Sequence, residues 1–307
     1  MNGFLNLNKE AGMTSHDEVL RARELLGIRK VGHLGTLDPL ATGVLVLCIG
    51  SGTKLVSYLE HTSKAYRATV ALGMVTDTMD ISGRVLETRP VAPLSPDAAS
   101  QILERFCGQI EQIPPMYSAV KVRGNRLYKL ARRGIEVERQ PRQITIFRLV
   151  LQDLRENSLT IEIECSKGTY IRTLCADIGQ ALGCGGCLRS LVRTRVGPFR
   201  LEESLTYEQL CGIRERGEVG KVLWSLDQVL SDYPQVVVPE KVADRVRHGS
   251  SFREDCLAGG GSPVSTGTMM RVYDPSGNLL ALAELQWDQM DKGLSRIFRI
   301  SRLLVPG

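Results

Sequence analysis

At 307 residues, with 43% apolar and 24% charged side chains, the chain has the composition of a globular protein long enough for one large domain and a small one. No apolar run approaches the roughly 18 residues of a membrane span, and the opening MNGFLNLNKEAGMTSHDEV lacks the basic-then-apolar pattern of a secretory signal. The net charge is only +5, and eight scattered cysteines form no disulfide framework at this length, which points to reduced thiols in a cytoplasmic setting.

In chain order, Phe4 to Leu7 predicts a short strand. A helix follows with Ser15 as N-cap, Glu18 completing a capping box and Gly27 at its end. Next comes VGHLGTLDPLATGVLVLCIGSGTK (31–54). Here Pro39 pushes Asp38 toward an extended backbone, so the carboxylate is aimed rather than left to sample. Gly32 and Gly35 leave space for a close-approaching ligand. Val44 to Ile49 reads as a strand buried on both faces and ending at Gly50, a rigid mount for the loop before it. On this segment alone, Asp38 reads equally well as a turn-capping residue. GSGTKL (50–55) is not a phosphate-binding loop, because the second glycine and the Gly-Lys-Ser/Thr spacing are missing.

Further along, Ala65 to Leu72 predicts a strand and Thr76 to Gly83 a polar turn. Ser95 and Pro96 open a helix that ends at Gly108. Ser158 to Cys165 alternates as a half-buried strand should, and Gly168 leads into a helix from Tyr170 to Leu182. Another helix begins near Thr206, with Gln209 as capping-box partner. From Tyr233 the texture changes to short strands and turns: Val236 to Val238, a turn-rich stretch from Gly249 to Gly267, then Met269 to Tyr273, Leu279 to Leu285 and Ile297 to Leu304. This predicts a small all-β unit over 233–307, after a mixed α/β unit with a mainly antiparallel sheet over 1–232.

Charge is unevenly placed. From Lys121 to Arg148 there are nine basic residues against two acids, Glu136 and Glu138, with Tyr117 and Tyr128 beside or among them. One sign of charge interleaved with tyrosine, and broken by Gly124 and Gly134, fits a surface that meets phosphates and stacks bases better than a salt-bridged helix. Two segments qualify as partners for Asp38. Tyr66 opens a strand in KAYR (64–67). In CSKGTYIR (165–172) a strand ends, Gly168 turns the chain, and Arg172 lies one turn into the helix that Tyr170 begins. An ordinary strand tyrosine and an exposed helix arginine remain open readings of these two.

Four strings in register resemble one family: GHLGTLDPLATGVL (32–45) with GSGTK, KAYRATVALGMVTDTMDISG (64–83), IPPMYSAVKVRGNRLYKLARRG (113–134), and CSKGTYIRTLCADIGQALG (165–183) followed by RTRVGPF (193–199). They are similar to the TruB type of bacterial tRNA pseudouridine-55 synthases, over most of the chain. The resemblance implies a pseudouridine synthase fold with Asp38 as catalytic nucleophile, Tyr66 stacked on the target base, and Arg172 as ion-pair partner of Asp38. It adds Lys9 and Tyr170 as support for the site, and His33 as a group that helps splay the uridine from the T-loop. The charge pattern, for its part, puts Lys121, Arg123, Arg126, Lys129, Arg132 and Arg133 against RNA. The C-terminal part, through HGSSF (248–252) and MMRVYDPSGNLLALAEL (269–285), resembles a PUA-type RNA-binding fold.

The reaction so implied breaks the C1′–N1 bond of a uridine, turns the base and rejoins it through C5. Nothing is oxidised or added, so no cofactor is expected. The implied partner is the T-arm and elbow of tRNA, met by a monomer with no guide RNA and no membrane. Two other readings stay open: an RNA-guided relative, and a tRNA-binding folding factor whose Asp38 site is vestigial. Cys184 and Cys187 form a C-x-x-C, but with Cys165 and Cys175 they do not make two tight pairs, so they read as packing residues and no metal is assigned. The sequence departs from the family's usual residues at Glu10, Cys187 and Val192.

Overall fold

The computed structural model describes residues 1–122, 124–257, 264–290 and 293–304. A nine-stranded sheet forms its body. The strands lie in the order Gly3–Lys9, Thr42–Ile49, Gly186–Val196, Lys64–Leu72, Ser158–Cys165, Arg142–Arg155 and Gly108–Gln112. Val31–Leu34 pairs beside Thr42–Ile49, and Phe199–Arg200 folds back on Gly186–Val196. Every pairing is antiparallel except that between Thr42–Ile49 and Gly186–Val196. The expected mixed α/β class with a mainly antiparallel sheet is the architecture found.

Period-2 alternation divides the core. Leu45, Leu47 and Ile49 join Ala68, Val70, Ile161 and Ile163 beneath helices Ser15–Leu26, Ile171–Ala181 and Tyr207–Glu215. Val44, Val46 and Cys48 point to the other face, against Phe4, Phe199 and Val229. This is why the sequence of that strand shows no alternation: both faces are covered. Phe199 lies between Phe4 and Trp224, with ring centroids 6.2 and 4.8 Å away.

A second, five-stranded sheet runs in the order Gln235–Val237, Met269–Tyr273, Leu279–Met290, Gly293–Leu303, Phe252–Arg253. It meets the first through Leu282 and Leu304, which enter the cluster around Phe4 and Val44. Polar ties reinforce this contact. Lys54 Nζ donates to the Leu303 carbonyl at 3.1 Å, and Arg271 Nη1 to Asp227 at 2.7 Å.

Three local expectations need correction. The first helix is capped by Thr14, not Ser15: Thr14 accepts from the Asp17 N–H at 3.1 Å, and Asp17 accepts from the Thr14 N–H at 2.8 Å. Ser15 is already committed to Leu37, and Glu18 is buried, so neither is free to cap. The helix opened by Ser95 and Pro96 stops at Glu104, and Gly108 instead starts a strand with φ +89°. The C-terminal part is not all-β. Helix Glu240–Arg247 packs Val242, Ala243 and Val246 into that unit's core, a helical spacing masked by the strands on either side.

Helix Ile171–Ala181 is seated closely on the start of strand Gly186–Val196. A Cβ added at Gly179 would stand 2.3 Å from the Gly186 nitrogen and 2.4 Å from the Gly185 carbonyl carbon, both backbone atoms. Gly179→Ala is therefore expected to destabilise the protein by about 1–3 kcal/mol, since helix and strand must part to admit it. Urea denaturation with an unchanged midpoint would show that the helix has room to shift.

Candidate active site

The loop carrying Asp38 is fixed through its backbone. Lys9 is fully buried, and its Nζ donates to the carbonyls of Ala41 at 2.6 Å, Glu10 at 2.8 Å and Pro39 at 3.3 Å. Ser15 Oγ donates to the Leu37 carbonyl at 3.1 Å and accepts from the Leu37 N–H at 2.8 Å. Gly12 N–H donates to Pro39 O at 2.8 Å, and Ala41 N–H to Asp38 O at 3.0 Å. Arg193 donates from Nη2 to Gly35 O at 3.1 Å, from Nη1 to Thr36 O at 3.3 Å and from Nε to Val44 O at 2.7 Å. A loop so pinned is a mount, in keeping with Pro39's restriction of Asp38.

Arg172 grips the Asp38 side chain. Its Nε lies 2.8 Å from Oδ2 and its Nη2 3.3 Å from Oδ1, a bidentate pair. Arg172 also donates to the carbonyls of Tyr117 at 2.7 Å and Thr78 at 3.1 Å, and meets Asp80 at 3.6 Å. Its side chain is 7% exposed while that of Asp38 is 35% exposed, so the carboxylate faces solvent from a buried anchor. Asp80 is buried and accepts from Thr78 Oγ1 at 2.9 Å, from the Ser82 N–H at 3.0 Å and from Ser82 Oγ. Met79, just before it, has φ +62°, the one positive φ among described residues other than glycine. Such left-handed backbone costs about 1–2 kcal/mol, and here it turns the Thr78 carbonyl and Asp80 carboxylate toward one guanidinium.

The remaining groups come from a single row across the sheet. Lys9 pairs with Gly43, Gly43 with Arg193, Arg193 with Tyr66, and Tyr66 with Ile163. Side chains in register share a face, so strand pairing brings Lys9, Arg193 and Tyr66 together beneath the loop. Tyr66 is 8% exposed and is paired in register with Arg193, whose charge acts on its phenol. Burial pulls the Lys9 ammonium below its ordinary value, partly opposed by Glu18 and Asp38.

Of the expected site residues, Asp38 and Arg172 touch directly. Lys9 acts on the loop backbone, and Tyr66 stands at the other end of the row, next to Arg193. Tyr170 contributes through its main chain. Its N–H donates to Gln112 Oε1 at 2.8 Å and its carbonyl accepts from Gln112 Nε2 at 3.1 Å, which sets the entry to helix Ile171–Ala181. His33 is half-buried on strand Val31–Leu34 and, among the described residues, forms no hydrogen bond or ion pair with Asp38; burial, with Arg193 next, pulls its imidazole below the ordinary range, which favours the neutral form.

Lys121 and Arg126 pair in a two-residue hairpin, followed by the short helix Leu127–Ala131. Lys121, Arg126, Lys129, Arg132 and Arg133 are exposed, and among the described residues none has an acid within 4.0 Å. Arg123 lies outside the described residues. The hairpin joins the site because Tyr128 N–H donates to Ser118 O at 3.0 Å, next to the Tyr117 carbonyl held by Arg172. Cys184 and Cys187 are buried, and burial raises the Cys187 thiol. The sequence reading missed Asp80, Gln112 and Arg193. Each lies within or beside a string already singled out, but none is marked by residue type as buried.

The family matches follow this geometry. Residues 23–171 match the TruB family pseudouridylate synthase N-terminal domain, and residues 172–235 the tRNA pseudouridylate synthase B C-terminal domain. The tRNA pseudouridine synthase B of Geobacter sulfurreducens is 41% identical over 304 residues, covering 98% of this chain and 99% of its own. That of Nitrosococcus oceani is 46% identical over 255 residues, 82% and 83% of the two chains. The fold is shared with a chain of a Cbf5–Nop10–Gar1 complex, with TM-score 0.76 and 25% identity over 99% of this chain and 85% of that one. The chain belongs to the TruB family of pseudouridylate synthases, and is thereby an isomerase.

Burial pushes the Tyr66 phenol up to about 12 from 10.0, with Arg193 pulling the other way. The folded state thus holds this proton more tightly than the unfolded chain does. Stability from this source is complete below pH 10 and drains away as pH rises toward about 12. Tyr66→Phe is expected to flatten the loss of stability across that alkaline window in denaturant titrations; a slope like that of the wild type would contradict a buried, neutral phenol.

Proposed function

We propose that this chain converts uridine to pseudouridine at position 55 in the T-loop of tRNA, acting alone in the cytoplasm as a monomer, with Asp38 as nucleophile. One observation carries the reading: a solvent-facing carboxylate in a pinned loop, held bidentately by a buried guanidinium. Such a group is aimed at something that arrives from outside. Asp38 attacks the target nucleoside and the C1′–N1 bond breaks. The base turns and C1′ bonds to C5, which gives its hydrogen to solvent while N1 takes up a proton.

Tyr66 lies against the flipped base, Arg172 keeps Asp38 aimed, and Lys9 and Tyr170 hold the surrounding backbone. His33 helps hold the uridine out of its loop. Lys121, Arg123, Arg126, Lys129, Arg132 and Arg133 meet the phosphates of the T-arm and elbow. In this reading residues 1–232 form the catalytic unit, and residues 233–307 a PUA-like unit that adds RNA contact. Among the described residues, no helix is long and apolar enough to cross a membrane. Support for tRNA as substrate comes from relatives that are 41% and 46% identical and named as tRNA pseudouridine synthases.

The test is tritium release from a tRNA transcript labelled at C5 of uridine, with purified protein alone. One equivalent per tRNA is expected from the wild type. Asp38→Asn is expected to release none while binding tRNA with unchanged affinity. Bound tRNA without release by the wild type would move the reading to a guided enzyme or a folding factor.

Affinity for tRNA should fall steeply as salt rises. Removing Lys121 and Arg126 together should reduce the slope of log affinity against log salt by about 2, or about 1 per phosphate contact. An unchanged slope would take the hairpin off the RNA.

A further inference from the structure

Arg193 is the largest of the fully buried side chains, at 1% exposure, and among the described residues no carboxylate lies within 4.0 Å of it. A buried cation without an acid is expensive: even after relaxation the penalty is several kcal/mol. An apolar side chain of similar volume would fill the space without that penalty, so packing alone does not account for a guanidinium here.

Its hydrogen bonds do. Gly35 and Thr36 precede Asp38, and Val44 follows it, so one guanidinium joins both stems of the loop. Tyr66 is its partner in register, and the guanidinium charge acts on the phenol. The geometry is enforced by Gly43, whose φ is +96°. A Cβ there would lie 2.3 Å from the Arg193 carbonyl oxygen, so only glycine allows the two parallel strands to approach this closely beneath the loop.

We propose that Arg193 is a positioning residue that holds the Asp38 loop and the Tyr66 ring at one fixed spacing. This rests on the reading of Asp38 as nucleophile and deepens it. Arg172 sets where the carboxylate points; Arg193 sets where the loop stands relative to the ring against which the base is held.

The experiment is single-turnover tritium release and tRNA binding for Arg193→Lys, Tyr66→Phe and the double variant, beside the wild type. Lysine keeps the charge but has one donor group in place of a fork. Arg193→Lys is expected to slow single turnover roughly 100-fold, the cost of about 1 Å of misplacement, at an unchanged Kd for tRNA. Adding Tyr66→Phe is then expected to cost little more, since the spacing is already lost.

A wild-type rate for Arg193→Lys, a loss confined to Kd, or losses that simply add would each overturn the proposal. If Arg193→Lys does not fold, Tyr66→Phe reads the same clamp from its other end. Amide hydrogen exchange over residues 35–41 then rises, and unchanged exchange overturns the proposal. A wild type that releases no tritium counts against the assigned reaction instead, and the exchange measurement still reads the clamp.

Discussion

The site depends on buried cations donating into backbone carbonyls. Lys9 and Arg193 lie inside the protein, and between them they satisfy the carbonyls of Gly35, Thr36, Pro39, Ala41 and Val44. Each side of this arrangement needs the other. A buried carbonyl left without a donor costs about 1–3 kcal/mol, and a buried ammonium or guanidinium without acceptors costs more. The loop therefore cannot leave the two cations without exposing unpaired groups on both sides. That is a stronger constraint than apolar packing, which tolerates small shifts, and it holds a short glycine- and proline-containing segment in one place.

The cations are themselves placed by strand register. Lys9, Gly43, Arg193 and Tyr66 occupy one row, spanning about 14 Å across three strand spacings. The gap in that row at Gly43 is what lets the loop settle between its neighbours. A slip of one residue in any of these pairings would turn a buried cation to the opposite face, where the cluster of Phe4, Val44 and Phe199 has no acceptors for it. The antiparallel neighbours of the row fix the single parallel pairing, so the large sheet and the small loop form one mechanical unit.

This explains which parts could be read from the sequence. Asp38 stood out because an acid between glycine, proline and an apolar strand is unusual, and the strand itself was evident from its unbroken apolar run. Arg172 was visible as the first basic residue of a helix after a glycine turn. Arg193 was not, because Arg189, Arg195 and Arg200 surround it and nothing in their order says which one turns inward. Pairing with Gly43 and Tyr66 decides that, and pairing is a long-range property. Asp80 was hidden similarly: in TDTMDISG two acids share a polar turn, and only the left-handed Met79 shows which one faces Arg172. Errors in local structure had local causes. Thr14 and Ser15 both suit an N-cap, and the choice between them fell to Leu37, a distant residue that claims Ser15.

Two guanidiniums thus serve one aspartate by different routes. Arg172 binds the carboxylate and shares itself with Asp80 and two carbonyls, so its charge is balanced by acids. Among the described residues, the hydrogen bonds of the Arg193 side chain all go to backbone oxygens, so its charge is balanced by dipoles. An acid beside Arg193 would satisfy it more cheaply, but would also place a second negative charge beneath a loop that already presents Asp38. Carbonyl dipoles support the loop from below without that repulsion. The direction of the Asp38 carboxylate and the position of its loop are then held by separate groups, each anchored in the sheet or in the helix seated on it.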